Sequence, residues 1–102
     1  MRGPSKAKRP KRRWVGIRTI EVIDREDFES LIREIMPNSS AKLYDLKIVD
    51  GNSIAIVRIN LTEYRLFISK CQADSRLETI TTSGKIRLVR DRLGLPKPKI
   101  RR

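Results

Sequence analysis

The chemistry available to this 102-residue sequence is bounded first by what it lacks. With no histidine, the commonest general base, the usual catalytic triads and the imidazole metal ligands are all missing. Cys71 is the single cysteine, so it forms no internal disulfide and, without histidine, builds no zinc ribbon or knuckle. The candidate metal-ligating carboxylates outside the first predicted helix, Asp45, Asp50, Asp74 and Glu78, fall in turns or alternate along strands without a convergent spacing such as that of an EF-hand loop. No catalytic residue and no metal ligand set is therefore expected on the protein. What the sequence has in excess is cationic: 24 Lys and Arg against 12 Asp and Glu, a formal charge of +12. The chemistry of that excess is the binding of phosphate.

The charge is unevenly placed. Residues 1–13 carry +7, from Arg2, Lys6, Lys8, Arg9, Lys11, Arg12 and Arg13, and residues 85–102 carry +7 again, while residues 14–84 carry −2. Two basic ends around a nearly neutral body form an electrostatic footprint for nucleic acid, where each neutralised phosphate releases counterions. The candidate RNA-binding residues are Lys6, Lys8, Arg9, Lys11, Arg12 and Arg13 in the first end, and Ser83, Lys85, Arg87, Arg90, Arg92, Lys97 and Lys99 in the second. Thr81-Thr82-Ser83-Gly84-Lys85 leads into the last predicted helix, whose free amides can hold a phosphate beside hydroxyls and a lysine. The plainer alternative is that Ser83 caps that helix and Gly84 eases the turn. Apolar runs such as Ile54 to Val57 are far short of the roughly 20 residues a membrane span needs. No apolar stretch with a cleavage site follows the basic start, so a cytoplasmic protein with no membrane partner is expected.

These residues must be positioned by recognisable elements. Residues 1–13, MRGPSKAKRPKRR, have dense like charge, two prolines and no apolar periodicity, and read as a disordered arm. Residues 14–23, WVGIRTIEVI, read as a strand. Phe28, Leu31, Ile32 and Ile35 form one helical stripe behind Asp24 as cap, with Pro37 as the stop. Residues 41–49 and 53–60 form two strands around Asp50-Gly51-Asn52. Asn60 and Glu63 have capping-box spacing before the stripe Leu61, Tyr64, Ile68, Cys71, which places Cys71 in the core as a small hydrophobe. Residues 76–82 suit a strand, Ile86, Val89 and Leu93 a helix ending near Gly94 and Pro96, and residues 96–102 a basic tail.

The order predicts an α+β fold: a ferredoxin-like β-α-β-β-α-β sandwich over residues 14–95, with an extra C-terminal helix and basic tails. Two helices cover one sheet face, and the third strand is apolar on both sides, so Ile54, Ile56, Val57 and Ile59 are candidates for contact with a protein partner on the open face or its edges. This topology is shared with RNA-recognition motifs that stack bases on aromatic rings of the first and third strands. The third strand here, SIAIVRIN, has no aromatic, and Trp14 and Tyr44 read as core or edge packing, so the expectation is binding to backbone and shape.

Three segments carry a family likeness. Arg13-Trp14-Val15 opening a strand, IAIVRIN running directly into a helix, and TTSGKIRLVRDRL resemble the small ferredoxin-like protein subunit of archaeal and eukaryotic ribonuclease P, over roughly residues 12–95. In that family a Ser-Gly-Thr-Ile type sequence opens a basic helix; Ser83, Gly84 and Ile86 match it, while Lys85 stands where threonine is common. The resemblance implies a subunit of the ribonucleoprotein that removes 5′ leaders from precursor tRNA, in which the RNA carries out hydrolysis with magnesium and the protein binds no cofactor. It also implies partners: the ribonuclease P RNA, precursor tRNA and the larger barrel-like protein subunit, with homodimerisation inside a heterotetramer as one arrangement. Two other classes stand beside it, a general or ribosomal-type RNA-binding protein of RRM-like topology and a metal-dependent nuclease.

Overall fold

The computed structural model describes residues 11–94; Lys6, Lys8, Arg9, Lys97 and Lys99 lie outside the described residues. Seven elements follow in order: β1 (Arg12–Thr19), α1 (Arg25–Ile35), β2 (Lys42–Val49), β3 (Asn52–Asn60), α2 (Leu61–Ala73), β4 (Leu77–Ser83) and α3 (Ile86–Leu93). The strands form one antiparallel sheet in the order β2-β3-β1-β4. β3 therefore separates β1 from β2, an α+β arrangement compatible with a ferredoxin-like fold.

Local sequence explains most element ends. Asp24 accepts the amide of Asp27 at 2.8 Å and opens α1, whose Phe28, Leu31 and Ile32 face inward. Asp50 and Gly51 take φ of 51° and 81°, the left-handed pair that a tight β2–β3 turn requires. α3 ends on Gly94 at φ 73°, whose amide returns to the carbonyls of Arg90 and Asp91.

Three features depart most from the sequence reading. β1 starts at Arg12, so the arm expected over residues 1–13 gives up Arg12 and Arg13 to the sheet. It ends at Thr19 rather than Ile23, because the Asn52 amide group holds the carbonyls of Thr19 and Ile20 at 2.8 and 2.9 Å and turns the chain away. The capping box at α2 does not form. Glu63 instead accepts the Ser40 amide and hydroxyl at 2.8 and 2.7 Å, and the Ser40 hydroxyl in turn accepts the Asn60 amide at 2.9 Å. These bonds pin the α1–β2 connection to the β3–α2 junction, and they hold the Glu63 carboxyl below its ordinary range.

The sheet is covered on both faces. α1 and α2 close the main core, thirteen buried residues that include Val15, Ile17, Phe28, Val57, Ile59, Phe67 and Cys71. α3 lies on the opposite face, where Val89 and Ile56 are fully buried with Trp14, Ile54, Ile86 and Leu93 packed around them. It presses so close that a Cβ on Gly16 would stand 3.0 Å from both Leu93 methyls. The expected partner surface is thereby corrected. Ile56, Val57 and Ile59 are wholly buried inside the chain, and Ile54 packs in the cluster beneath α3.

Candidate nucleic-acid interface

Strand register gathers cations at one end of the sheet. Lys42 pairs with Arg58, Arg58 with Trp14 and Trp14 with Ser83, so a single row crosses all four strands on the α3 side. The next row is Asp45, Ile56, Gly16 and Thr81. α3 covers that second row, with Leu93 over Gly16 and Arg90 and Arg92 reaching to its two edges. The first row therefore sits at the rim of the helix.

Around this row come the roots of both basic ends. The Lys11 carbonyl accepts the Leu61 amide at 2.8 Å, fixing the start of the sheet to the first turn of α2. Arg12 and Arg13 follow as the first residues of β1, and the Arg13 guanidinium runs across to the β4–α3 turn, where a Cβ on Gly84 would be 3.1 Å from its Nη1. Exposed Lys85 and Arg87 open α3 at the same turn. Lys11, Arg12, Arg13, Lys42, Arg58, Ser83, Lys85 and Arg87 thus surround one edge, although the first three and the next five come from four separate stretches of chain.

The plainer alternative for Ser83, that it caps α3, does not hold either. Its hydroxyl accepts the Lys85 amide at 3.1 Å, a local turn bond, and the N-cap position of α3 is Lys85, which makes no side-chain cap. The first turn of α3 is left to other donors and acceptors. Two more predicted cations are occupied. Arg90 donates to Asp45 from Nε and Nη2 at 2.9 and 2.6 Å, and Arg92 donates to the Thr81 hydroxyl and Thr82 carbonyl at 3.0 and 2.9 Å. Both fasten α3 to the sheet.

Two members of the site, Lys42 and Arg58, were absent from the sequence reading, and Tyr44 entered it only as core or edge packing. A bulge between Leu43 and Asp45 lifts Tyr44 out of the regular pairing. Its ring meets Trp14 edge to face, with centroids 4.7 Å apart and planes at 88°. Arg58 donates to the Tyr44 hydroxyl at 3.0 Å, and the Lys42 ammonium stands 6.0 Å from the ring centre. The alternation Ile54, Ile56, Arg58 marks the face Arg58 occupies; its neighbours across the sheet depend on register.

The carboxylates considered as metal ligands have separate structural partners. Asp45 holds Arg90, Glu78 pairs with Arg18, Asp50 is in the β2–β3 turn, and Asp74 accepts the Arg76 guanidinium and amide. The Arg76 bonds hold the Asp74 carboxyl down to about 2. Among the described residues, no three of His, Cys, Asp and Glu gather as a ligand set. Cys71 is fully buried, and that burial pushes its thiol up to about 12. A cleft of about 570 Å³ at the opposite end of β1 is lined by Glu21, Asp27 and Glu34 as well as Arg76, a poor place for phosphate. Among the described residues no helix is long and apolar enough to cross a membrane.

No family model, curated protein or solved structure matches the chain.

Proposed function

We propose that this chain is an RNA-binding protein that holds the phosphate backbone of a folded RNA against the cationic edge of its sheet. The observation that carries the reading is the row Lys42, Arg58, Trp14, Ser83 with Arg12, Arg13, Lys85 and Arg87 beside it. Cations whose backbone roots are fixed on strands and a helix start are offered to phosphates from set positions, so binding requires no ordering of backbone. The two basic ends add attraction that depends on salt and not on base sequence.

Within that reading, the chain is the small ferredoxin-like protein subunit of a ribonuclease P. The three segments that carry the likeness support this, because their residues Trp14, Arg58 and Ser83 are neighbours on one row. The RNA subunit performs leader removal with its magnesium, while the protein offsets repulsion between packed phosphates. A larger protein subunit would then meet a surface other than Ile54 and Ile56, which α3 covers.

Adding the full chain to a ribonuclease P RNA should raise the rate of 5′ leader removal from precursor tRNA at limiting magnesium. No gain at any magnesium concentration sinks the ribonuclease P assignment. A parallel binding assay separates it from a general RNA-binding protein, which would bind the RNA with steep salt dependence and leave cleavage unchanged. Trimming the first basic end should stop at residue 10, because Lys11 and Arg12 are built into the fold.

A further inference from the structure

A backbone-binding edge needs cations and no aromatic rings, yet two of the chain's five aromatic residues meet there. Trp14 and Tyr44 are not closing the main core, which lies on the other face of the sheet. An edge-to-face pair uses one face of one ring; the Lys42 and Arg58 cations also approach the Tyr44 ring, at 6.0 and 5.2 Å from its centre. Trp14 packs against the Ile56–Val89 cluster, so the open ring surface is the exposed part of Tyr44 with the Trp14 edge beside it. Tyr44 is 36% exposed, and the bulge raises it above the regular pairing of an edge strand. Arg58 donates to its hydroxyl and lays its guanidinium over the ring, 5.2 Å from the centre, so a base stacks on the exposed remainder of the pair or displaces that cation.

We infer that Trp14 and Tyr44 form a stacking site for an unpaired nucleobase of a bound RNA, with Lys42 and Arg58 taking the adjoining phosphates. The inference rests on the RNA-binding reading and adds a preference to it: RNA with a splayed base over fully paired RNA. A duplex keeps its bases stacked on one another and presents only backbone to this edge, whereas a loop or bulge can turn a base outward. Cations and rings at one place are what single-stranded binding requires, since charge holds the backbone and π faces accept any base. The charge of this edge favours a nucleic acid over an apolar protein segment for the same rings.

Trp14 is the sole tryptophan, so its fluorescence reports this site in the full chain. The probes are an eight-nucleotide oligouridylate and an RNA duplex with the same number of phosphates, titrated at one salt concentration. The single strand is expected to quench Trp14, and the duplex to bind with little quenching. Tyr44→Leu should weaken the single strand about tenfold, the scale of one base–aromatic stack. It should leave the duplex within about twofold. Tyr44→Phe, which keeps the ring and loses only the Arg58 bond, should bind both probes as the original chain does and so guards against a folding defect. If Tyr44→Leu weakens both probes equally, or neither, or if the single strand binds without quenching, base capture is wrong while backbone binding stands. If neither RNA binds the original chain, both readings fall.

Discussion

The two faces of the sheet are built for different ends. Beneath α1 and α2, thirteen buried residues interlock, and the polar groups near them are tied by hydrogen bonds from Thr19 to Glu21 and, across 30 residues of sequence, between Ser53 and Ile23. Beneath α3 only Ile56 and Val89 are fully buried, and the helix is held at its flanks by Arg90 to Asp45 and Arg92 to the β4 threonines. The first face supplies the bulk of the apolar burial that drives folding. The second is a short cover over half a face, which leaves the Lys42–Arg58–Trp14–Ser83 row at its rim. A cover of eight residues is enough to protect Ile56 and too short to hide the cations.

This contrast can be broken most forcefully from the main core. Phe28→Ala removes a fully buried ring and should cost about 3–5 kcal/mol, enough to unfold much of a small domain, as read by urea denaturation followed by circular dichroism. Val89→Ala, equally buried but in the smaller cluster, should cost about 2 kcal/mol, two methyl groups at ~0.8 kcal/mol each plus a small cavity. Equal losses from the two would mean that the faces are not unequal. Gly16→Ala inserts a methyl against Leu93 at 3.0 Å and should cost about 1 kcal/mol as α3 shifts. Hydrogen exchange should then speed up in α3 amides and stay slow in α1; faster exchange in both would show that the helices are one cooperative unit.

The smallest effect lies at the turn that leads from α2 into β4. Asp74 has its carboxyl lowered from 3.8 to about 2 by the Arg76 guanidinium and amide. A carboxyl lowered in the folded state binds fewer protons there than in the unfolded chain. Its stabilisation is thus present above its ordinary value and is lost as pH falls from 3.8 towards about 2. Asp74→Asn should flatten stability across that window and leave its pH dependence above 5 unchanged. An identical acid slope in the variant would show that Asp74 is not the group being protonated.

Much of the fold was legible from short-range pattern. The stripe Phe28, Leu31, Ile32 and the Asp50-Gly51 turn are local signals, and so is the two-sided apolar character of residues 54–59, which foretold a central strand. What covers the second face was not legible, because Ile86, Val89 and Leu93 fit a helix wherever it docks; its seat depends on Gly16 beneath Leu93, in the first strand far back along the chain, and on Thr81, bonded to Arg92. The site was half legible. Density of charge pointed to Arg12, Arg13, Lys85 and Arg87, but it also pointed to Arg90 and Arg92, which have partners within the fold. Lys42 and Arg58 sit in stretches of ordinary composition and enter the site only through cross-strand register. Glu63 shows the same limit: its spacing from Asn60 suggested a capping box, and a distant Ser40 took the carboxylate instead.

The central claim is that position, not total charge, makes the RNA surface. The measurement is the slope of log affinity for a folded RNA against log salt concentration in two triple variants of equal charge. One is Lys42→Gln, Arg58→Gln, Lys85→Gln at the cationic edge; the other is Lys47→Gln, Lys70→Gln, Arg76→Gln away from it. Each phosphate contact contributes roughly 0.7–0.9 to the slope, so the first variant should flatten it by about 2 to 3 and the second should leave it nearly as steep as in the original chain. Equal flattening in both would contradict the account and reduce the edge to a share of the chain's overall charge.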